Sequence, residues 1–465
     1  MAKPVFFDLS SPRRLHVVGA GGGGMSAITQ ALAEMGHRVS GSDLHQSEVL
    51  DRLKRAGVTI SIGHHAAHVE GCDAVTSSTA VPAHVAELTA ARESSVEVLN
   101  RAQMLAAICH QARSIGIAGT HGKTTTASMV TEILDAAGWE PGFVIGAAVA
   151  KYRTNGRWTG SDWFVVEADE SDRTHLALPL FAAVLTNIDV DHLDTYGSLE
   201  GIEHSFASYL SQVPGPKVVG GDDERARRVG RAHGAVLYGT SPDLDVRAVN
   251  IVSGAGSMTF DIERDGARLT TVELPLRGLY NVLNATGALT LAMELGIDPD
   301  LAADALSRFG GVARRFDIRG RHGGATFVDD YAHLGAEIKS VLGGARESAD
   351  NWKRIVAVFQ PNRYHRIAAI ADDYADAFEA ADLVVITDIY SSGTTPIPGV
   401  TGELIVKAIQ AAHPDADVRW IPDRSDLIEF AAAELGEDEV CISMGCGDIE
   451  TFPDEVVASR REVSM

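Results

Sequence analysis

Phosphate chemistry is concentrated at Gly119-Thr120-His121-Gly122-Lys123-Thr124-Thr125. This segment lies between the apolar run 114–118 and a stretch that sets Met129, Val130, Ile133, Leu134 and Ala137 on one helical side. Phosphate oxygens need several converging N–H donors and a point cation. A glycine loop at a helix N-terminus supplies the donors, and Lys123 supplies the charge. The Thr124 hydroxyl is placed to bind Mg²⁺. The loop is not a complete Walker A, because position 117, where its first glycine would stand, is Ile. A plain glycine turn capping a helix would explain the glycines but not the Lys-Thr pair.

Two more loops of similar character follow apolar runs. Trp163 to Val166 leads into Glu167-Ala168-Asp169-Glu170-Ser171-Asp172, and a later run leads into Thr186-Asn187-Ile188-Asp189-Val190-Asp191-His192-Leu193-Asp194. Carboxylates at the carboxyl end of a strand beside a phosphate loop are where a hard cation is held. Glu167, first after its run, reads as a cation ligand, while Glu170 and Asp172 serve equally well as a solvated acidic loop. His192, amid aspartates and an asparagine, reads as a ligand or positioner for a second cation.

Near the N-terminus, Gly19, Gly21, Gly22 and Gly24 fall within a G-x-G-x-x-G, and Asp43 closes the following strand. That pattern suits a nicotinamide dinucleotide, and any diphosphate at a helix N-terminus is served equally. Polar clusters also close several later elements: Asn281 with Asn284, Arg314-Arg315, Asp329-Asp330-Tyr331-Ala332-His333, and Gln360 to Arg366. Arg363 and Arg366 could clamp one carboxylate through paired N–H donors, or form a solvated basic turn.

The elements that must position these residues alternate from end to end, strand-like apolar runs with helical periodicity, as parallel sheets covered by helices require. The chain reads as an α/β protein of three domains. These are a Rossmann-like domain over 1–110, a central P-loop-type ATPase domain with a mostly parallel sheet over 111–312, and a Rossmann-like domain over 313–465. Residues 243–276 alternate apolar and polar side chains and predict antiparallel hairpins.

Composition narrows the partners. The 40 Lys+Arg against 63 Asp+Glu give a net charge of −23 and exclude broad contact with nucleic acid or an anionic membrane. An anionic substrate then needs a local nest of N–H groups and a few placed cations. Cys72, Cys109, Cys441 and Cys446 have neither CxxC nor disulfide-like spacing and read as reduced thiols. With no signal-peptide pattern at the start and no apolar run of roughly eighteen residues, the expectation is a cytoplasmic protein.

Taken together, the motifs resemble those of the Mur ligase family. GTHGKTTT, VVEADESD, TNIDVDHLDTY, NVLNA, ARRF, DDYAH, FQPNRYHR and PIPGV occur in family order, with IGHHAAHVEG, SSTAVP and NRAQMLA before them. The likeness runs from about Arg13 to Phe452. It implies ATP- and Mg²⁺-dependent joining of L-alanine to the lactoyl carboxylate of UDP-N-acetylmuramate, through an acyl phosphate, in peptidoglycan precursor synthesis.

By the same resemblance, Gly19 to Gly24 and Asp43 hold the uridine diphosphate, with His64, Ser77 and Ser78 near the sugar nucleotide. Gly119 to Thr125 and Lys123 contact ATP phosphates, Thr124 and Glu167 the first magnesium, and His192 the second. Asn281, Asn284, Arg315 and Asp330 surround the adenosine and phosphates, and Tyr331, His333, Arg363 and Arg366 receive the alanine. The chain departs from the family pattern at Tyr280, at Leu334-Gly335, at Asn362 and at Arg173-Thr174-His175. No lysine stands between His192 and Lys217, in agreement with the alanine-adding branch. The rival readings are a ligase recycling murein tripeptide onto the same nucleotide, a non-catalytic nucleotide-binding relative, and an NAD-dependent oxidoreductase. The last leaves GTHGKT and EADESD without a task.

Overall fold

A computed structural model describes residues 6–78 and 80–463. Thr79 of the SSTAVP motif, the N-terminal residues read for a signal peptide up to position 5, and the side chain of Asp194 lie outside the described residues. Among the described residues no helix is long and apolar enough to cross a membrane.

Three sheets organise the chain. The first holds β1 (Arg14–Val18), β2 (Arg38–Asp43), β3 (Thr59–Ile62), β4 (Ala74–Ser77) and β5 (Glu97–Asn100), all parallel, in the order β3-β2-β1-β4-β5. The order reverses between β1 and β4, and ligands of open α/β sheets bind beyond the carboxyl ends of the strands at such a reversal. Gly19 to Gly24 follow β1, and Ser77 ends β4 with Ser78 just beyond it, so both stand there.

The second sheet holds β6 (Arg113–Ala118), β7 (Gly142–Val149), β8 (Thr154–Arg157), β9 (Trp163–Glu167), β10 (Ala182–Leu185), β11 (Lys217–Gly220), β12 (Val236–Gly239), β13 (Val246–Ser253), β14 (Met258–Arg264) and β15 (Ala267–Leu274). Its order is β15-β14-β13-β12-β11-β10-β6-β9-β7-β8. Strands β12 through β7 in that order run parallel, and β8 returns antiparallel to β7. Turns 254–257 and 265–266 join β13, β14 and β15, too short for any crossover, so these neighbours are the hairpins that the alternation predicted.

The third sheet holds β16 (Asp317–His322), β17 (Ala325–Asp330), β18 (Arg354–Phe359), β19 (Leu383–Ile386), β20 (Val418–Trp420) and β21 (Glu439–Met444), in the order β16-β17-β21-β18-β19-β20. Only β16 pairs antiparallel.

Two compact units emerge: residues 1–251, 260–274 and 281–310 form one, and 252–259, 275–280 and 311–465 the other. Within the first unit, the first two sheets share one apolar core. Met25, Ile28 and Leu32 of the helix Gly23–Glu34 lie in the same buried cluster as Val144, Phe164 and Val166 of the second sheet. Asn155 Nδ2 donates to Gly23 O at 2.7 Å across that seam. In the second unit, the segment 275–280 is bound by Arg277. Its Nε donates to Asp350 at 2.6 Å, and its guanidinium lies 4.8 and 5.2 Å from the ring centres of Phe316 and Trp352.

One core group makes stability pH-dependent. Glu132, on the helix Lys123–Ala136, is buried beside Lys151, Asp135, Tyr152 and Arg308, and burial pushes its carboxyl up to about 7. An acid raised in the folded state contributes fully below the ordinary carboxylate range, and that contribution is lost as pH rises through about 7. Glu132→Gln should therefore match wild type in unfolding free energy from urea titration near pH 5 and exceed it by roughly 1–2 kcal/mol near pH 8.5. An equal offset at both pH values would refute the assignment.

Candidate active site

Strand pairing brings the three chemistry-rich loops together. Ile117 of β6 is in register with Glu167 of β9, and Ala118 with Leu185 of β10. GTHGKT, EADESD and TNIDVDH therefore leave one edge of the sheet side by side.

Two glycines allow the phosphate loop to pack as it does. Gly119 has φ +127°, and a Cβ there would fall inside van der Waals contact of Thr186 Oγ1, 2.9 Å from Thr186 N and 3.0 Å from Asn187 N. Gly122, in the left-handed region at φ +82°, presses against the Asn284 amide. The third loop then acts as a scaffold for the first. Thr186 Oγ1 donates to His121 O at 2.6 Å, Asn187 Oδ1 accepts from His121 N at 2.9 Å, and Thr120 Oγ1 accepts from Asp189 N at 2.9 Å. His121 Nε2 lies 3.2 Å from Asp189 Oδ2.

Lys123 opens the helix, and its ammonium donates to Gly119 O at 2.6 Å, Thr120 O at 3.0 Å and Glu170 Oε1 at 2.8 Å. Burial alone would lower its pKa, but Glu170, Asp169 and Glu167 outweigh burial and push it up to about 12, so the charge is fixed. Glu170 is buried against Lys123, so it is not part of a solvated acidic loop. Glu167 Oε2 accepts from Thr124 Oγ1 at 3.0 Å and from Gly146 N at 2.7 Å. His192 has φ +51° and holds Asp191, its Nε2 3.2 Å from Asp191 Oδ2. Asn281 and Asn284 are buried at the start of the helix Leu279–Glu294, where Asn284 Oδ1 accepts from Thr126 Oγ1 at 3.3 Å.

Arg173-Thr174-His175 proves to be packing. Arg173 Nη2 donates to Thr195 O at 2.8 Å, and His175 Nε2 lies 2.9 Å from Ser205 Oγ between Phe206 and Tyr209. Burial drives the His175 pKa down to about 4, so the ring is neutral.

At the first sheet, Asp43 closes the glycine loop: its carboxylate accepts from Gly21 N at 2.8 Å and Leu44 N at 2.7 Å. His64 Nδ1 lies 2.7 Å from Glu87 Oε2 and 3.3 Å from Ser42 Oγ. Arg101, inside NRAQMLA, is a residue that motif reading passed over. Its Nη1 reaches Asp169 at 3.3 Å and Asp172 at 3.1 Å, while its Nε stands 3.1 Å from where a Cβ on Gly24 would lie. The signal for it was charge: the two carboxylates Asp169 and Asp172, following Glu167, call for a counter-cation.

The second unit gathers its own cluster. Asp330 is buried and accepts from Phe316 N at 2.7 Å and Ala332 N at 2.8 Å, and burial raises its pKa. The guanidiniums of Arg314 and Arg315 lie 5.1 and 5.2 Å from the Tyr331 ring centre. His333 is held by Glu337, whose Oε2 accepts from His333 N at 2.9 Å. Arg363, at φ +62°, donates its N–H to Tyr390 O at 2.9 Å and starts the helix Tyr364–Ile370, which carries Arg366. Phe359 and Asp330 are both in register with Met444, so the loop holding Cys446 enters the same place. Burial raises the Cys446 thiol while Arg366, Arg363 and Arg314 pull it down, and the same thiol acts on Tyr331. Arg314 and Cys446 were the members of this cluster without an assigned role.

Three descriptions of one family match successive parts of the chain: Mur ligase family, catalytic domain, over 14–113; Mur ligase middle domain over 117–292; and Mur ligase, glutamate ligase domain, over 314–447. The UDP-N-acetylmuramate–L-alanine ligase of Rhizobium meliloti (strain 1021) is 40% identical over 462 residues, covering 97% of each protein. Its namesake from Rubrobacter xylanophilus is 41% identical over 450 residues, 96% of this chain and 99% of that one. The crystal structure of UDP-N-acetylmuramate-alanine ligase MurC from Thermotoga maritima superposes with a TM-score of 0.83 at 27% identity, over 97% of this chain and 100% of the other.

Proposed function

The chain belongs to the Mur ligase family, and on that premise we propose that it ligates L-alanine to the lactoyl carboxylate of UDP-N-acetylmuramate at the expense of ATP, in cytoplasmic peptidoglycan precursor synthesis. The observation that carries this reading is the Lys123–Thr124–Glu167 set, assembled on a glycine loop between paired strands.

The helix N-terminus at Gly122 and the fixed Lys123 charge hold the γ-phosphate and the oxygen that bridges it to ADP. The substrate carboxylate attacks that phosphorus in line, ADP leaves, and an acyl phosphate forms. The neutral alanine amine then attacks the acyl carbon, and the tetrahedral intermediate expels phosphate as the amide forms. The oxygen donors of Glu167 and Thr124, 3.0 Å apart beside the phosphate loop, suit Mg²⁺, with Asp191 and His192 as a second position. Bound there, Mg²⁺ would neutralise charge on the transferring phosphoryl group. Glu167→Gln and His192→Ala should each raise the Mg²⁺ concentration for half-maximal activity, and unchanged titrations for both would remove them as ligands.

Arg363, just before the helix Tyr364–Ile370, and Arg366 within it offer two planar guanidiniums for the alanine carboxylate, both near enough to Cys446 to act on its thiol. Arg363→Lys should raise KM for alanine about tenfold, roughly 1.4 kcal/mol, with KM for ATP nearly constant. Equal rises in both constants, or none, would move Arg363 out of the amino-acid site. The deciding experiment is ADP release with UDP-N-acetylmuramate and alanine, serine, glycine or the murein tripeptide in turn. Turnover with tripeptide and not with alanine would overturn the proposal.

A further inference from the structure

Away from the phosphate loop, one side of the first sheet buries a carboxylate among imidazoles. Glu87, in the first turn of the helix Ala86–Glu93, is fully buried. His68 Nδ1 lies 2.7 Å from its Oε1, His64 Nδ1 lies 2.7 Å from its Oε2, and His16 Nε2 lies 3.5 Å from Oε1. The ligand-capable atoms of His16, His68 and Glu87 all fall within 4.8 Å of one another.

His16 carries the argument. It is 1% exposed, and its Nδ1 lies 2.8 Å from Ser40 Oγ. The other ring nitrogen, Nε2, is buried, makes no hydrogen bond and points at a carboxylate oxygen. A buried polar atom left without a partner is costly, and a cation between the imidazole and the carboxylate would satisfy both. Their 3.5 Å separation is close to the edge, about 3.4 Å, of a tetrahedron built on bonds of roughly 2.0–2.1 Å, whereas His68 Nδ1 and Oε1, hydrogen-bonded at 2.7 Å, would have to part to admit the ion.

We propose that His16, His68 and Glu87 form a site for a divalent transition-metal ion of the zinc class, with its fourth position open. Two imidazole nitrogens and one carboxylate oxygen favour such an ion over Mg²⁺ or Ca²⁺, which take oxygen donors. Ser40 orients the His16 ring, the outer support that metal ligands ordinarily have, and His64 Nδ1 lies 2.7 Å from the other carboxylate oxygen. The His68 side chain is 23% exposed and provides the way in. The ion would fasten β1, the short helix Ala66–Val69 and the helix Ala86–Glu93 to one another. The proposal does not rest on the ligase reading.

The test titrates chelator-treated full-length protein with Co²⁺ in excess Mg²⁺, following visible absorption and metal stoichiometry. Wild type should bind one ion with the strong bands of low-coordinate cobalt. His68→Ala should weaken that binding at least about 10–100-fold, the loss that even an outer support inflicts. His413→Ala, in the exposed group with Asp376 and Glu379, should leave it unchanged. Absence of the bands in wild type, or equal affinity in His68→Ala, would overturn the site and leave a proton in place of the metal. Should His68→Ala not fold, carbethoxylation of wild type decides: Zn²⁺ should protect His68 from diethylpyrocarbonate, and equal labelling with and without Zn²⁺ would refute the proposal.

Discussion

Replacing Lys123 with alanine should lower kcat by about 10²–10³-fold, the loss found when one preorganised charge stabiliser is removed. The protein itself holds this side chain. Two carbonyls of its own loop and Glu170 hold the ammonium within 3.0 Å, and the surrounding carboxylates keep it protonated throughout the working pH range. Its three N–H donors are thereby all engaged, so Lys123 gives up one of these acceptors when it meets a phosphoryl oxygen. The substitution also leaves Glu170 buried without its cation, which destabilises the fold, so urea midpoints must accompany the kinetics. Single-turnover ADP formation by folded enzyme separates the two effects. A folded Lys123→Ala protein with kcat within about threefold of wild type would show that the lysine acts only as a structural counter-ion.

Gly119→Ala should lower stability by about 3 kcal/mol or more and abolish measurable ATP affinity. Two separate penalties apply there. A backbone at φ +127° is one that L side chains rarely adopt, and the added carbon would overlap Thr186 Oγ1. The double variant Gly119→Ala/Thr186→Ala distinguishes them. Removing the hydroxyl relieves the side-chain clash, but the backbone nitrogens at 2.9 and 3.0 Å and the dihedral remain. Partial recovery in urea midpoint is expected. Full recovery would mean that only the hydroxyl matters, and none would assign the whole cost to the backbone.

Local chemistry was readable from the chain because each reactive segment follows a short apolar run, and a strand must deliver its successor to a sheet edge. The hairpins between 243 and 276 were readable for a similar reason, since alternation has a period of two. What could not be read was who faces whom. Arg101 meets Asp169 and Asp172 only because the first helix packs on β7 and β8, and no local pattern encodes a contact 68 or 71 residues away. Glu170 stood open between a cation ligand and a solvated acid until β6 and β9 were paired. Cys446 carries no motif at all, and only the register of β17, β21 and β18 brings it to Tyr331 and the arginines. The role of Asp43 shows the converse. The expectation that it holds a ligand is untouched, yet its carboxylate first serves the glycine loop itself.

The seam between the first two sheets has a consequence for how this protein can diversify. Gly156 lies so close to the Ala27 backbone that a single added carbon would collide with it, and Asn155 reads the Gly23 carbonyl from the same hairpin. A first sheet with its helices, traded in from a distant relative, would meet a surface cut for another shape. The first two sheets are therefore better regarded as one heritable piece than as interchangeable parts. Shuffling experiments that recombine at residue 110 should preserve the matched faces on both sides.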